Sequence, residues 1–225
     1  MTAAIILAAG RGERMGAKMD KAFISLGSKP IVAYSLLAFQ ACPDIDSIVL
    51  VVREDRIASS RELCRELGVS KLAAVITGGA DRQDSVSAGI AALPHETDVI
   101  AVHDSARPLV TPELISATIR SAEQFGSGVA AHKVVDTIKS VEKDNVVAAT
   151  VDRAKLWTVA TPQTFSAAVL RRAYGEVAAR KATVTDDAGA LELIGEPVRL
   201  VAWPHPNFKI TVAEDLDLAR KLLCL

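Results

Sequence analysis

Ile5-Ile6-Leu7-Ala8-Ala9-Gly10-Arg11-Gly12-Glu13-Arg14-Met15-Gly16, running on to Asp20-Lys21, is the stretch on which the fold reading turns. It opens as a short apolar run, too short for most helices and of the right length for a buried parallel strand. Two small residues and three glycines then allow a sharp turn and a close approach of backbone to ligand. Arg11, Arg14, Lys18 and Lys21 put four cations into the same loop. Exposed amides and basic side chains straight after a first strand suit a bound polyphosphate. Two familiar glycine loops fail here. The dinucleotide fingerprint needs a third glycine where Met15 stands. The Walker loop needs a hydroxyl after its lysine, and the run Gly16-Ala17-Lys18-Met19 has none.

The chain of 225 residues can bury a sizeable core, and with 50% hydrophobic but only 4% aromatic residues that core is Ala, Val, Leu and Ile. A net charge of −1 argues against nucleic acid or a membrane surface as partner, so any basic site must be local. No apolar run approaches the roughly 18 residues of a membrane span. Cys42, Cys64 and Cys224 lie far apart without CxxC spacing, and are read as reduced core thiols of a cytoplasmic protein.

Outward from the loop, periodicity predicts helices over 31–41, 60–67, 111–125, 166–179 and 187–194. Strands are expected over 47–52, 72–76, 99–102, 129–131 and 198–202. Gly68 and Gly126 follow two helices as stops. Thr211-Val212-Ala213-Glu214 reads as a capping box opening a last helix. Alternating strands and helices imply an α/β fold, a mostly parallel sheet flanked by helices on both faces. Segments 134–142 and 146–151 form two extended arms around Lys143-Asp144-Asn145, a projecting β-hairpin. A two-stranded hairpin is marginal alone in water, so a partner is expected to cover it.

Ligands of open α/β sheets bind at the carboxyl ends of strands. The loops expected there are 10–21, 78–82 and 103–108, with Asp152-Arg153, Thr161-Pro162-Gln163 and Asn207-Phe208-Lys209 beside them. Cations, amides and one carboxylate at strand ends fit a nucleoside triphosphate and a metal. His103 fits a structural histidine better than a base; His95, His132 and His205 show no ligand spacing. Read alone, Arg14 and Lys21 could equally be solvated loop charges.

Taken together, the motifs LAAGRGERMG…DKAF, GGADRQDSV, HDSARP, DTIK, VDR…LW, TPQTF, TDDAGALE and NFKIT occur in one order over nearly the whole chain. The series closely resembles the 2-C-methyl-D-erythritol 4-phosphate cytidylyltransferases of non-mevalonate isoprenoid synthesis. The resemblance implies a single Rossmann-like nucleotidyltransferase domain over 1–225, with the arm at 134–155 making a homodimer. It implies transfer of CMP from CTP to the sugar phosphate, with Mg²⁺ required. By this similarity Arg14 and Lys21 stabilise charge on the α-phosphate, while Arg153 and Lys209 orient the sugar phosphate. Ala8, Ala9, Gly10, Gly12, Gly79 and Ser85 hold the nucleotide, with Arg82 supporting that pocket. Asp104, Ser105 and Arg107 surround ribose, triphosphate and metal, Asp104 being the metal ligand. Thr137 and Arg153 reach the acceptor in the neighbouring subunit's site, and Thr161 is a further substrate contact. Asp20, Ala22, Ala80 and Ser105 depart from residues seen in many relatives; none removes a catalytic charge. A ribitol-phosphate cytidylyltransferase, a molybdopterin guanylyltransferase and a module that binds CTP without turnover remain the rivals.

Overall fold

A computed structural model describes residues 1–10 and 20–225. In chain order the elements are β1 (Thr2–Leu7), β2 (Ser25–Leu26), β3 (Lys29–Pro30), α1 (Ile31–Ala41), β4 (Ser47–Val52) and α2 (Ile57–Glu66). Then come β5 (Leu72–Thr77), α3 (Arg82–Ala92), β6 (Val99–Asp104), α4 (Pro112–Phe125) and β7 (Ser127–Lys133). The remainder is β8 (Ile138–Val141), β9 (Val147–Val151), β10 (Trp157–Ser166), α5 (Ala167–Arg180), α6 (Asp187–Leu193), β11 (Leu200–Ala202) and α7 (Ala213–Leu222). Seven of the described strands form one sheet in the order β11-β7-β10-β6-β1-β4-β5. Its pairs are parallel except where β10 runs antiparallel between β6 and β7.

Strand alternation divides the core. Ala4 and Ile6 of β1 face a cluster with Leu36 and Phe39 of α1 and Leu114 and Ile115 of α4. Ala3 and Ile5 face the other side, with Val86 and Ile90 of α3 and Leu170 and Ala173 of α5. Every residue of β1 is buried, as a central strand covered on both faces must be.

Two elements escape the sequence pattern. α3 was not expected, because Arg82–Ala92 is small and polar and carries no apolar stripe. Its buried face is Ser85, Val86, Gly89 and Ile90, and Asp81 caps its start by accepting from the Asp84 amide at 3.0 Å. The expected loop at Thr161-Pro162-Gln163 is instead the interior of β10. Proline in a run argues against a central strand, but here the pairing shifts register between Val159 and Gln163 and so passes Pro162. The buried polar residues of β10 are satisfied: Thr164 Oγ1 donates to Thr118 Oγ1 at 2.9 Å, and Gln163 Oε1 accepts from the Asp187 and Ala188 amides.

Two smaller readings also shift. The cap of α7 moves one residue on, with Asp215 rather than Glu214 reaching back to the amides of Thr211 and Val212. Asp215 sits where its short carboxylate meets both donors. Cys42 and Cys64 are buried thiols, but Cys224 is exposed. The hairpin is present as β8 paired antiparallel with β9, a sheet of its own in which Val141, Val146 and Val147 stand exposed.

Candidate functional site

A cavity of about 1100 Å³ opens at the carboxyl ends of β1, β4, β5 and β6. Parallel pairing brings these ends level: the Ala8 amide donates to Val51 O at 2.7 Å, Gly78 to Val52 O at 2.8 Å, and Ser105 to Leu7 O at 3.0 Å. Ala8, Ala9 and Gly10 form one wall, Gly78 to Arg82 with Ser85 a second, and Asp104, Ser105 and Ala106 a third. Lys21, Ala22 and Lys209 enter from outside the sheet.

The glycine wall is tight because it must be. A Cβ on Gly78 would sit 2.6 Å from the Ala9 Cβ, and one on Gly79 only 2.1 Å from the Asp84 Cβ. Ser85 ties this loop together, its Oγ accepting from the Gly79 amide at 3.1 Å and donating to Asp81 O at 2.9 Å.

Charge on the cavity floor is organised around one carboxylate. Asp104 Oδ1 accepts from Arg82 Nε at 3.1 Å and Oδ2 from Lys209 Nζ at 2.8 Å. Burial alone would neutralise this acid, but Arg82 and Lys209 outweigh it and hold its carboxyl far below the usual carboxylate range. Arg82 in turn spreads its fork over Asp187, with NH1 and NH2 at 3.1 and 2.7 Å. Asp187 is fully buried and also accepts from the Tyr174 hydroxyl at 2.6 Å. Burial works against the Arg82 charge, yet the two acids raise its pKa on balance. The result is a chain of alternating charge, Lys209–Asp104–Arg82–Asp187.

Of the residues expected at the site, Ala8, Ala9, Gly10, Lys21, Gly79, Arg82, Ser85, Asp104, Ser105 and Lys209 line this one cavity. Arg14 and Gly12 lie outside the described residues. Arg107 lies outside the lining and donates from NH1 to Asn207 O at 2.8 Å, bracing the segment that carries Lys209. Thr161 is buried behind Asp104, whose amide donates to Thr161 Oγ1 at 3.0 Å. Thr137 and Arg153 are exposed on the hairpin region, where Arg153 NH1 donates to Val135 O. His103 is wholly buried, and burial pulls its pKa down to about 3, against the pull of Asp104. It is a neutral structural group.

Sequence reasoning missed Arg53, Glu54 and Asp55, which line the cavity beyond β4. Arg53 pairs with Asp55 at 2.7 Å. The strand-end rule that found the other loops applies equally to the strand over 47–52 and would have found these. Asp187 and Tyr174 had no such signal, because their contact with Arg82 is made only in the folded chain.

The IspD family model, 2-C-methyl-D-erythritol 4-phosphate cytidylyltransferase, matches residues 2–224. A protein of that name from Pelotomaculum thermopropionicum is 40% identical over 222 residues, covering 98% of this chain and 93% of the relative. One from Dehalococcoides mccartyi is 42% identical over 220 residues, covering 98% and 95%. The crystal structure of 4-diphosphocytidyl-2C-methyl-D-erythritol synthase from Anaerococcus prevotii superposes with a TM-score of 0.88 at 28% identity, covering 100% of this chain and 96% of that one. A strand-end cavity in a mostly parallel sheet, the motif series and matches over the full length agree, and the chain belongs to the 2-C-methyl-D-erythritol 4-phosphate cytidylyltransferase family.

Proposed function

We propose that this cavity takes CTP and 2-C-methyl-D-erythritol 4-phosphate and joins them, giving 4-diphosphocytidyl-2-C-methyl-D-erythritol and pyrophosphate. The observation that carries the reading is the ionised Asp104 on the cavity floor, held between Arg82 and Lys209 and faced by close-packed glycines. In the reaction an oxygen of the acceptor phosphate attacks the α-phosphorus of CTP. The bond from that phosphorus to the bridging oxygen breaks, and its electron pair leaves with pyrophosphate.

A phosphate monoester has its second pKa near ~6, so the nucleophile is already mostly a dianion at neutral pH. No general base is required, and His103, the one histidine near the floor, is buried and neutral. Rate must come from alignment and from fixed cations at the developing charge. Lys21 and Lys209 line the cavity and fit that task; Arg14 is assigned with them from its motif. Gly78, Gly79 and the Ala8–Gly10 backbone offer a close flat wall to the base.

Among the described residues no cluster of three or more acids, histidines or cysteines makes a ready cage for a metal. A single ionised carboxylate facing the cavity does fit Mg²⁺ that keeps waters and is ligated largely by substrate phosphates. Asp104 would hold that ion, which supplies charge neutralisation of the triphosphate when bound. Arg153 and Thr137 stand apart from this cavity, and the hairpin leaves Val135, Val141, Val146 and Val147 exposed. Both facts support a homodimer in which each hairpin completes the other subunit's site. Free thiols and the lack, among the described residues, of a helix long and apolar enough to cross a membrane support a cytoplasmic enzyme.

The deciding measurement is pyrophosphate release with CTP and each candidate acceptor, with and without Mg²⁺. Methylerythritol phosphate is expected to be turned over with CTP. Turnover of ribitol phosphate alone, a preference for GTP, or binding of CTP without release would each replace this reading by the corresponding rival.

A further inference from the structure

Behind the cavity floor, three side chains and two backbone groups form a ring that the reaction itself does not require. The Asp104 amide donates to Thr161 Oγ1 at 3.0 Å. Thr161 Oγ1 lies 3.1 Å from His103 Nδ1. On the far side of the imidazole, His103 Nε2 lies 3.2 Å from Ser35 Oγ, which donates to Ser105 O at 3.3 Å. The path leaves the backbone at Asp104 and returns to it one residue later, having passed through β10, β6 and α1. All of its side chains are buried, and the ring of Phe39 stacks at a tilt 5.1 Å from the imidazole.

Donor and acceptor counting gives this ring one direction. A carbonyl only accepts, so the single proton of Ser35 goes to Ser105 O, and Ser35 Oγ must accept from the imidazole. Nε2 therefore carries a proton. From the other end, an amide only donates, so Thr161 Oγ1 accepts from Asp104 and keeps its own proton to give to Nδ1. Both ends assign the same tautomer, and burial of the imidazole disfavours a second proton on it. The opposite tautomer would leave Ser35 with one proton for two acceptors, and would take from the Thr161 proton the acceptor it has in Nδ1.

We infer that His103 is a positioning residue, held as the neutral Nε2–H tautomer, which closes a one-way hydrogen-bonded ring around the Asp104–Ser105 turn and so aims the Asp104 carboxylate into the cavity. The consequence for catalysis rests on the proposed role of Asp104. The backbone ring fixes where the side chain starts, and Arg82 and Lys209 fix where it ends. With Asp104 as the proposed metal ligand, contacts that orient such a ligand typically alter metal affinity or activity by roughly 10- to 100-fold.

Two measurements test the inference. Long-range proton–nitrogen correlation spectra of isotopically labelled wild-type protein report which nitrogen of each imidazole is protonated, with His103 identified by its loss in His103→Gln. A protonated Nε2 and bare Nδ1 at neutral pH are expected; a protonated Nδ1, alone or together with Nε2, overturns the ring. The second measurement compares Thr161→Val, which keeps shape but removes the hydroxyl, with Thr161→Ser, which keeps the hydroxyl. Thr161→Val is expected to lose roughly tenfold or more in kcat while the KM for CTP moves little, and Thr161→Ser to recover most of that loss. Equal kcat in the two variants overturns the positioning role. Wild-type protein that transfers no cytidylyl group would remove the proposed function, and the tautomer spectrum would still decide the ring.

Discussion

At the scale of single residues, charge in this protein is governed by who its neighbours are. Asp104 and His103 are adjacent in sequence and both are buried, yet one is held ionised and the other neutral. Asp104 has two cations within 3.1 Å, whereas both ring nitrogens of His103 face hydroxyls, and burial outweighs the opposing pull of Asp104 and of a backbone hydrogen bond with Arg107. This has a consequence for stability against pH. The His103 pKa falls from about 6.5 in an unfolded chain to about 3 in the folded one. Between those values the unfolded chain gains a proton that the folded one refuses. His103 neutrality therefore favours folding fully above the unfolded value, and that contribution is lost as pH falls toward the folded one. The slope is at most about 1.4 kcal/mol per pH unit. Asp104, also depressed, has the same sign but acts only below about 3.9, the ordinary carboxylate value. Asp20, raised by burial against the pull of Arg56, acts in the opposite sense near that same value. Denaturant unfolding at about pH 7 and about pH 5 should show lower stability at the lower pH. His103→Gln should flatten the difference, and an undiminished difference would show that another group causes it.

At the scale of elements, packing decides more than propensity. Gly128 of β7 lies against α4 so closely that a Cβ would stand 2.2 Å from Thr118 O, a backbone atom that no rotamer can move. Gly175 of α5 is exposed and meets nothing within 4 Å. The same substitution to alanine should therefore act with opposite signs. Gly175→Ala should stabilise by about 1 kcal/mol through helix propensity. Gly128→Ala should destabilise by roughly 1–3 kcal/mol through overpacking. Thermal melts of the two variants check this, and a stabilised Gly128→Ala would show that β7 and α4 can part without cost. The same contrast explains what was legible. α1 and β4 carry strong apolar patterns, and the structure has them at Ile31–Ala41 and Ser47–Val52, as expected. α3 and β10 do not, because one buries small residues against Ile5 and the other buries polar residues that find partners only across the sheet.

At the scale of the whole molecule, several of the expected site residues fall into two groups. Lys21, Arg82, Asp104 and Lys209 meet at one cavity. Arg153 and Thr137 stand on the exposed hairpin region. The proposed second copy of the chain would reconcile the two. Lys21→Ala should lower kcat by roughly a hundredfold or more, because a fixed cation at developing charge is lost. Arg153→Ala should also impair turnover. Mixing the two impaired variants and allowing subunits to exchange should recover part of the activity, since one site of each mixed pair then holds both intact groups. No recovery after verified exchange would mean that each subunit works alone.

The sequence by itself determined the alternating α/β pattern, the strand-end loops and the motif series, because apolar periodicity and turn residues are local properties of a chain. It also supplied ten of the residues that line the cavity. Only the tertiary structure decided that β10 runs through Pro162 in the middle of the sheet, that Asp187 and Tyr174 stand behind Arg82, and that Thr161 serves Asp104 from beneath. Those contacts join residues that are far apart in sequence. A buried hydrogen bond or ion pair is set by three-dimensional proximity, and no local pattern encodes it.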